Sequence, residues 1–229
     1  MTMRYGSPKT LLGKNDAASF AASMINRGTS TMSRQDIKDK LDALEARVSI
    51  FGGLSSASVR IETTNENLPA VVDLISEILK DPVFPQEEFD KIKEQRLSSL
   101  EESLSDPQSL ASNKFSRLLS PYPKTDVRYS RTIEEQIEDI KALTLDEVKS
   151  FYAENYGTSN ATVSVVGDFD EAVIKEKIIS HFGGWDSPSN YKRIENPYIE
   201  TKPGDEEINT PDKANSLFLA GMTLPFGDE

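Results

Sequence analysis

The usual metal-binding and nucleophile-activating side chains are nearly absent from these 229 residues, which hold one imidazole, His181, and no cysteine thiol. A hydrolytic zinc site takes two or three imidazoles with a carboxylate or a water, so one histidine cannot build it. Without cysteine there are no thiolate zinc sites, disulfides or cysteine nucleophiles. A serine-type triad would have to be assembled around His181. That residue stands beside Phe182-Gly-Gly-Trp185 at the close of a helical pattern, where a histidine caps carbonyls or packs, and this is its expected role.

Carboxylates come in adjacent pairs, Glu87-Glu88, Glu101-Glu102 and Glu134-Glu135. Neighbours on a helix point about 100° apart, so each pair reads as a solvated face rather than a cooperating acid and base. Asp168 and Asp170 flank Phe169 ahead of a helical pattern. They read as helix caps, because calcium needs more oxygen ligands at set spacing. Gly52-Gly53 and Gly183-Gly184 lack the Lys-Ser/Thr of a phosphate loop and read as turns.

The elements that position these groups follow from periodicity. Met1 to Tyr5 reads as a short strand. Ala17, Phe20, Ala21, Met24 and Ile25 recur at helical spacing and stop at Gly28. Ser33 with Asp36 forms a capping box ahead of the stripe Ile37, Leu41 and Leu44. Period-two alternation then predicts a β-hairpin: Val48 and Ile50 before Gly52-Gly53, and Ala57, Val59 and Ile61 after it. Leu68, Val71, Val72, Ile75, Ile78 and Leu79 form the clearest amphipathic helix. Pro85 opens another, with Phe89, Ile92, Leu97, Leu100 and Leu104 as its stripe, and Asp106-Pro107 starts a third.

Residues 120–132 hold two prolines and predict an irregular connection. Helix resumes at Ile133, and Thr144-Leu-Asp-Glu147 is a second capping box ahead of Val148, Phe151, Tyr152 and Tyr156. Thr162-Val-Ser-Val-Val166 predicts a strand. A helix bearing Val173, Ile174, Ile178 and Phe182 follows, and Ser216 to Leu224 predicts a further strand. The fold class expected is α+β, a mixed or antiparallel sheet covered on one face by several helices.

Acidic residues outnumber basic ones by 38 to 26, for a net charge of -12. Such a surface repels phosphate backbones and anionic headgroups, so no nucleic-acid partner is expected. No apolar run approaches the ~18 residues of a membrane-spanning helix, so no membrane insertion is expected either. The chain is expected to be a fragment of a longer protein.

This order of elements resembles half of a pitrilysin or insulinase-like zinc metallopeptidase, the inverzincin or M16 type. The matching stretches are Gly13 through Met24-Ile-Asn-Arg-Gly-Thr29, Ile61-Glu-Thr-Thr-Asn-Glu-Asn-Leu68, Leu143-Thr-Leu-Asp-Glu-Val148 with Phe151 to Tyr156, and Val165-Val-Gly-Asp-Phe-Asp170 leading to Phe182-Gly-Gly-Trp185. Together they cover most of residues 1–186.

Active members of the family carry His-x-x-Glu-His on the first helix, two zinc ligands and a general base. The resemblance places Ser19, Ala22 and Ser23 at those positions, so no catalytic residue and no metal ligand is expected. Close packing, or lining a surface, is the plain role of such small side chains. The family's third ligand, a glutamate on a later helix, falls at Glu101 or Glu102, a relic of that site or simply a solvated face.

Residues 120–129 look like the degenerate C-terminal half of bacterial two-half chains. The resemblance thus implies a non-catalytic domain that helps form a peptide-binding chamber. Its partners would be an active half, in the same chain or another, and a peptide or unfolded-protein substrate. It implies no cofactor in this chain, zinc in the active half, and the periplasm if the protein is a bacterial two-half relative. A substrate-holding Arg and Tyr would lie beyond residue 229.

The implied division is a domain over 1–186, a linker or long loop over 187–214, and the start of a following, truncated domain over 215–229. A scaffold or assembly protein of the same fold, or an acidic α+β protein-interaction module, are the alternatives.

Overall fold

A computed structural model describes residues 1–210 and 216–225. The chain packs as two units, Met1–Asp90 with Thr144–Arg193, and Lys91–Leu143 with Ile194–Glu229.

The first unit is built on a four-stranded antiparallel sheet in the order β2-β3-β1-β4. Its strands are β1 (Thr2–Arg4), β2 (Arg47–Gly52), β3 (Ser56–Glu62) and β4 (Ala161–Thr162). The expected hairpin is β2–β3, registered from Arg47↔Glu62 to Gly52↔Ala57. β1 pairs on one side with β3, Thr2 opposite Ser58, and on the other with β4, Thr2 opposite Thr162. Met3, Ala57 and Val59 are buried on the helix-covered face, while Thr2 and Ser58 share a hydroxyl hydrogen bond on the other. This is the one-sided pattern of an antiparallel sheet.

Helices α1 (Asn15–Met24), α2 (Arg34–Ala43), α3 (Leu68–Lys80), α7 (Leu145–Asn155) and α8 (Glu171–Phe182) complete this unit, with a 3₁₀ turn at Ile25–Arg27. The caps form as their sequences dictate. Ser33 accepts from the Asp36 N–H and Asp36 accepts from the Ser33 N–H, and Thr144 and Glu147 do the same for α7. The core is apolar and continuous, with Phe151, Val148, Val71, Met24 and Ile25 fully buried. Tyr5, Tyr156 and Tyr152 form a row of rings with centroids 5.3 Å and 4.9 Å apart, the first two buried within this core.

In the second unit, α4 (Gln86–Ser103), which belongs to the first unit through Asp90, is followed by α5 (Pro107–Leu119) and α6 (Ile133–Ala142). Ile133, Ile137 and Ile140 of α6 are buried, and the Lys93 ammonium caps the end of α6 through the carbonyls of Lys141 and Leu143 at 2.9 and 2.7 Å. The stripe expected on α4 holds at Phe89 and Leu100, both buried, and fails at Leu104, which is exposed.

Residues 120–132 contain no regular element, as expected, yet side chains hold them closely. The Arg128 guanidinium sits 4.0 Å from the Tyr122 ring centre and donates to both Asp126 oxygens at 2.8 and 2.7 Å. The Tyr129 hydroxyl donates to Glu135 at 2.9 Å. The Lys124 hydrogen bond, then the Thr132 N–H, pulls the Glu135 carboxyl down to about 2.

Two strand expectations are corrected. Only Ala161–Thr162 joins the sheet, opposite Met3 and Thr2 of β1, and residues 163–166 form no strand, since no ladder partner lies beside them among the described residues. Residues 216–224 form no strand, as no strand lies beside them among the described residues. Phe218 is 88% exposed, and this segment is held instead by Gly221 against the Phe115 ring and by Thr223, which donates to the Ile199 carbonyl at 2.9 Å. The parts of the 187–214 and 215–229 assignments at 211–215 and 226–229 lie outside the described residues.

Candidate functional site

α1 carries Ser19, Ala22 and Ser23, the three positions that the resemblance sets against the zinc motif. Its sequence Asn-Asp-Ala-Ala-Ser-Phe-Ala-Ala-Ser-Met is rich in alanine, and small side chains let a helix backbone lie close to a sheet. Ala22 is 3% exposed and faces β2. A methyl built on Gly52 would stand 2.3 Å from the Ala22 Cβ, so the contact exists only because position 52 has no side chain. Ser19 and Ser23 are exposed on the flank of the same helix. The Ser23 hydroxyl donates back to the Ser19 carbonyl at 2.9 Å, and Arg27 Nε donates to the Ser23 carbonyl at 3.1 Å.

The chemistry of this donor set does not fit zinc. Two hydroxyls, one engaged with its own helix backbone, and a buried methyl supply no imidazole and no carboxylate. The nearby phenols cannot take a base's place. Burial raises the pKa of Tyr5, Tyr152 and Tyr156, which keeps all three protonated at neutral pH. Beyond Ser23, Arg27 and Arg34 converge on Glu88 at 3.2 and 3.1 Å, tying the turn after α1 and the start of α2 to α4. Partial burial, followed by the charge of Arg34, lowers the pKa of Arg27.

Glu101 and Glu102 lie on α4 within the second unit, and both are exposed. No cluster of three or more His, Asp or Glu side chains suited to a metal occurs among the described residues. Among the same residues, no helix is long and apolar enough to cross a membrane.

The His181 ring engages a carboxylate and stands edge-on to Phe182, with centroids 6.4 Å apart. Its Nε2 lies 2.6 Å from Asp73 Oδ1, and Lys177 Nζ donates to both Asp73 oxygens at 2.7 Å. Desolvation raises the Asp73 pKa, but the hydrogen bonds from Lys177 and His181 outweigh it, and the net shift is downward. The cluster fastens α8 to α3. Sequence reading missed this contact because it joins residues 108 apart. It missed the Gly52–Ala22 contact too, whose only trace was a glycine at the end of a strand pattern.

Comparison with known proteins agrees with this architecture. The model of the insulinase family, peptidase family M16, matches residues 11–119. That of the peptidase M16 inactive domain matches residues 142–227. The β subunit of the mitochondrial-processing peptidase of Dictyostelium discoideum is 23% identical over 93% of this chain and 46% of its own length. An uncharacterized zinc protease of Streptomyces coelicolor is 20% identical over 73% of this chain and 36% of its own length.

Among solved structures, a peptidase M16 inactive domain from Pseudomonas fluorescens superposes with a TM-score of 0.65 at 20% identity, covering 88% of this chain and 48% of that one. The periplasmic protease PqqL of Escherichia coli gives 0.62 at 19% identity, covering 88% of this chain and 22% of that one. The chain therefore spans less than half the length of these relatives. Sheet, helix cover and both family matches point the same way, and the chain belongs to the insulinase family, peptidase family M16.

Proposed function

We propose that this chain is a non-catalytic domain of a zinc-dependent metalloendopeptidase-like protein. In this reading it contributes a wall of the peptide-binding chamber and contacts an active half, in the same chain or a partner chain, that carries the zinc. One observation supports it above the others: the α1 positions that correspond to the family's zinc motif are Ser19, Ala22 and Ser23, with Ala22 packed against Gly52. A helix committed to packing serves architecture, and the match of residues 142–227, outside this helix, to an inactive-domain model is a separate support for the same reading. On the same reading residues 1–186 form the family domain, 187–214 connect it, and 215–229 begin a following domain.

The experiment is hydrolysis of an unfolded protein or a quenched fluorescent peptide. It is run on this chain with zinc, on an active M16-type half alone, and on the two together. The expected result is no turnover by this chain and an increase when it joins the active half. Chelator-sensitive turnover by this chain alone, surviving purification controls, would overturn the proposal, as would an active half indifferent to its addition.

A further inference from the structure

The turn after α1 holds a cation fastened from two sides. Arg27 Nε donates to the Ser23 carbonyl at 3.1 Å, where the carbonyls of a helix C-terminus favour positive charge. Its Nη1 donates to Glu88 Oε2 at 3.2 Å. Arg34, the first residue of α2, brings its own Nη1 to the same oxygen at 3.1 Å. Two guanidinium groups thus share one carboxylate oxygen. The rings of Phe20 and Phe89, with centroids 5.6 Å apart, fix α1 to the start of α4 and keep Arg27 and Glu88 in place.

Exposure layers the three side chains. Glu88 is 14% exposed, Arg27 23% and Arg34 58%, so the anion lies deepest and the cations nearer solvent. Positive charge is in excess at Arg27: burial, then the charge of Arg34, lowers its pKa although Glu88 pulls the other way. Donors are in excess too, since a guanidinium carries several N–H groups in a planar fork. Arg27 Nη2 and Arg34 Nε and Nη2 have no hydrogen-bond partner among the described residues. Asp36, two residues beyond Arg34, is engaged with Ser33, from whose N–H and hydroxyl it accepts at 2.8 and 2.7 Å.

We propose that Arg27 and Arg34 form a carboxylate-binding site beside the exposed Ser19–Ser23 flank of α1, taking a carboxylate of an extended peptide on their unspent donors. The proposal rests on the peptide-binding reading above and adds to it a preference within the substrate. Guanidinium suits this role because it is always charged, weakly hydrated and matched to a carboxylate by its fork. The net charge of -12 repels acidic peptides at long range. A preference for a carboxylate therefore has to come from a local, short-range arrangement such as this pair.

The test follows the Nε–Hε NMR signals of Arg27 and Arg34 in the full chain as three hexapeptides of threonine and valine are added. The first is blocked at both ends and carries a central glutamate. The second has glutamine in its place, and the third is the glutamine peptide with a free C-terminal carboxylate. At least one charged peptide should shift both signals and bind about tenfold more tightly than the blocked glutamine peptide, less so as salt is added. Which of the two does so tells whether the carboxylate comes from a side chain or from a chain end.

Arg34→Gln should abolish the preference with little change in melting temperature, because that side chain is mostly exposed. Glu88→Gln separates a binding site from a structural tie. With the resident carboxylate neutralised, both guanidinium groups turn to the peptide, and the preferred peptide should bind several-fold more tightly even though the variant is less stable.

Equal affinity for all three peptides, or a preference that survives Arg34→Gln, would overturn the proposal. So would weaker binding of the preferred peptide by folded Glu88→Gln, or inorganic phosphate shifting the same signals as strongly as peptide at equal concentration. If the preference is absent while the active half still responds to the chain, only this site is refuted. If the preference is present and the active half does not respond, only the chamber reading falls.

Discussion

Replacing Gly52 with alanine tests the packing of α1 against β2. The added methyl would lie 2.3 Å from the Ala22 Cβ, 3.3 Å from the Tyr156 hydroxyl and 3.6 Å from the Ala18 carbonyl. Non-bonded carbons rest at about 3.5–4.0 Å, so α1 and β2 must part by roughly 1.2–1.7 Å. Neither partner is the tip of a flexible side chain, so relief has to come from backbone. Overpacking of this kind costs about 1–3 kcal/mol.

Gly52 lies in a strand and is not among the glycines with positive φ. Alanine therefore carries no dihedral penalty and recovers about 0.4–1 kcal/mol of chain entropy. The net expectation is a loss of about 1–2 kcal/mol, a fall in melting temperature of about 2–8 °C for a chain of this size. In urea the midpoint should fall at unchanged slope.

The control is the double variant G52A/A22G, which restores the space while costing about 1 kcal/mol for a glycine inside a helix. The two changes should be strongly non-additive, the double variant matching or exceeding G52A in stability. A Gly52→Ala chain as stable as the parent, or a double variant whose loss is the sum of the singles, would refute the reasoning.

Asp73→Asn should destabilise by less than about 1 kcal/mol at neutral pH, because the carboxylate is 46% exposed. Since the folded pKa is depressed, the Asp73 contribution is present above the usual value of 3.8 and fades as pH falls through the folded value. Urea midpoints measured from pH 6 to pH 2 should therefore converge for parent and variant at the acid end. Thr144→Ala should cost about 1 kcal/mol by removing the α7 cap, read as a lower urea midpoint. Phe151→Ala, at a fully buried site, should cost about 3–5 kcal/mol and show as loss of cooperative melting. Ser19→His with Ser23→His places two imidazoles one turn apart on an exposed face, and zinc should then raise the melting temperature of the variant but not of the parent. Adding Ala22→Glu should cost more than about 3 kcal/mol, since the carboxylate would be driven against Gly52.

Whatever depends on residues within a turn of one another was written in the sequence. The boxes at Ser33–Asp36 and Thr144–Glu147 start their helices as read, and a third at Thr132–Glu135 obeys the same local rule though it was not singled out. The stripe of α3 and the alternation of the β2–β3 hairpin also held, because burying one face is a demand that periodicity records directly. The lack of imidazoles is likewise a property of composition, independent of how the chain folds.

Tertiary structure decided what pairs with what. Residues 162–166 have the pattern of a strand, yet only Thr162 is paired, since pattern expresses suitability for a ladder while pairing requires a neighbour. Gly52 against Ala22, and Asp73 between Lys177 and His181, bring together residues 30 or more positions apart. No local signal encodes such meetings: they are selected by how the layers close on one another, and only the folded chain shows which distant surfaces come into contact.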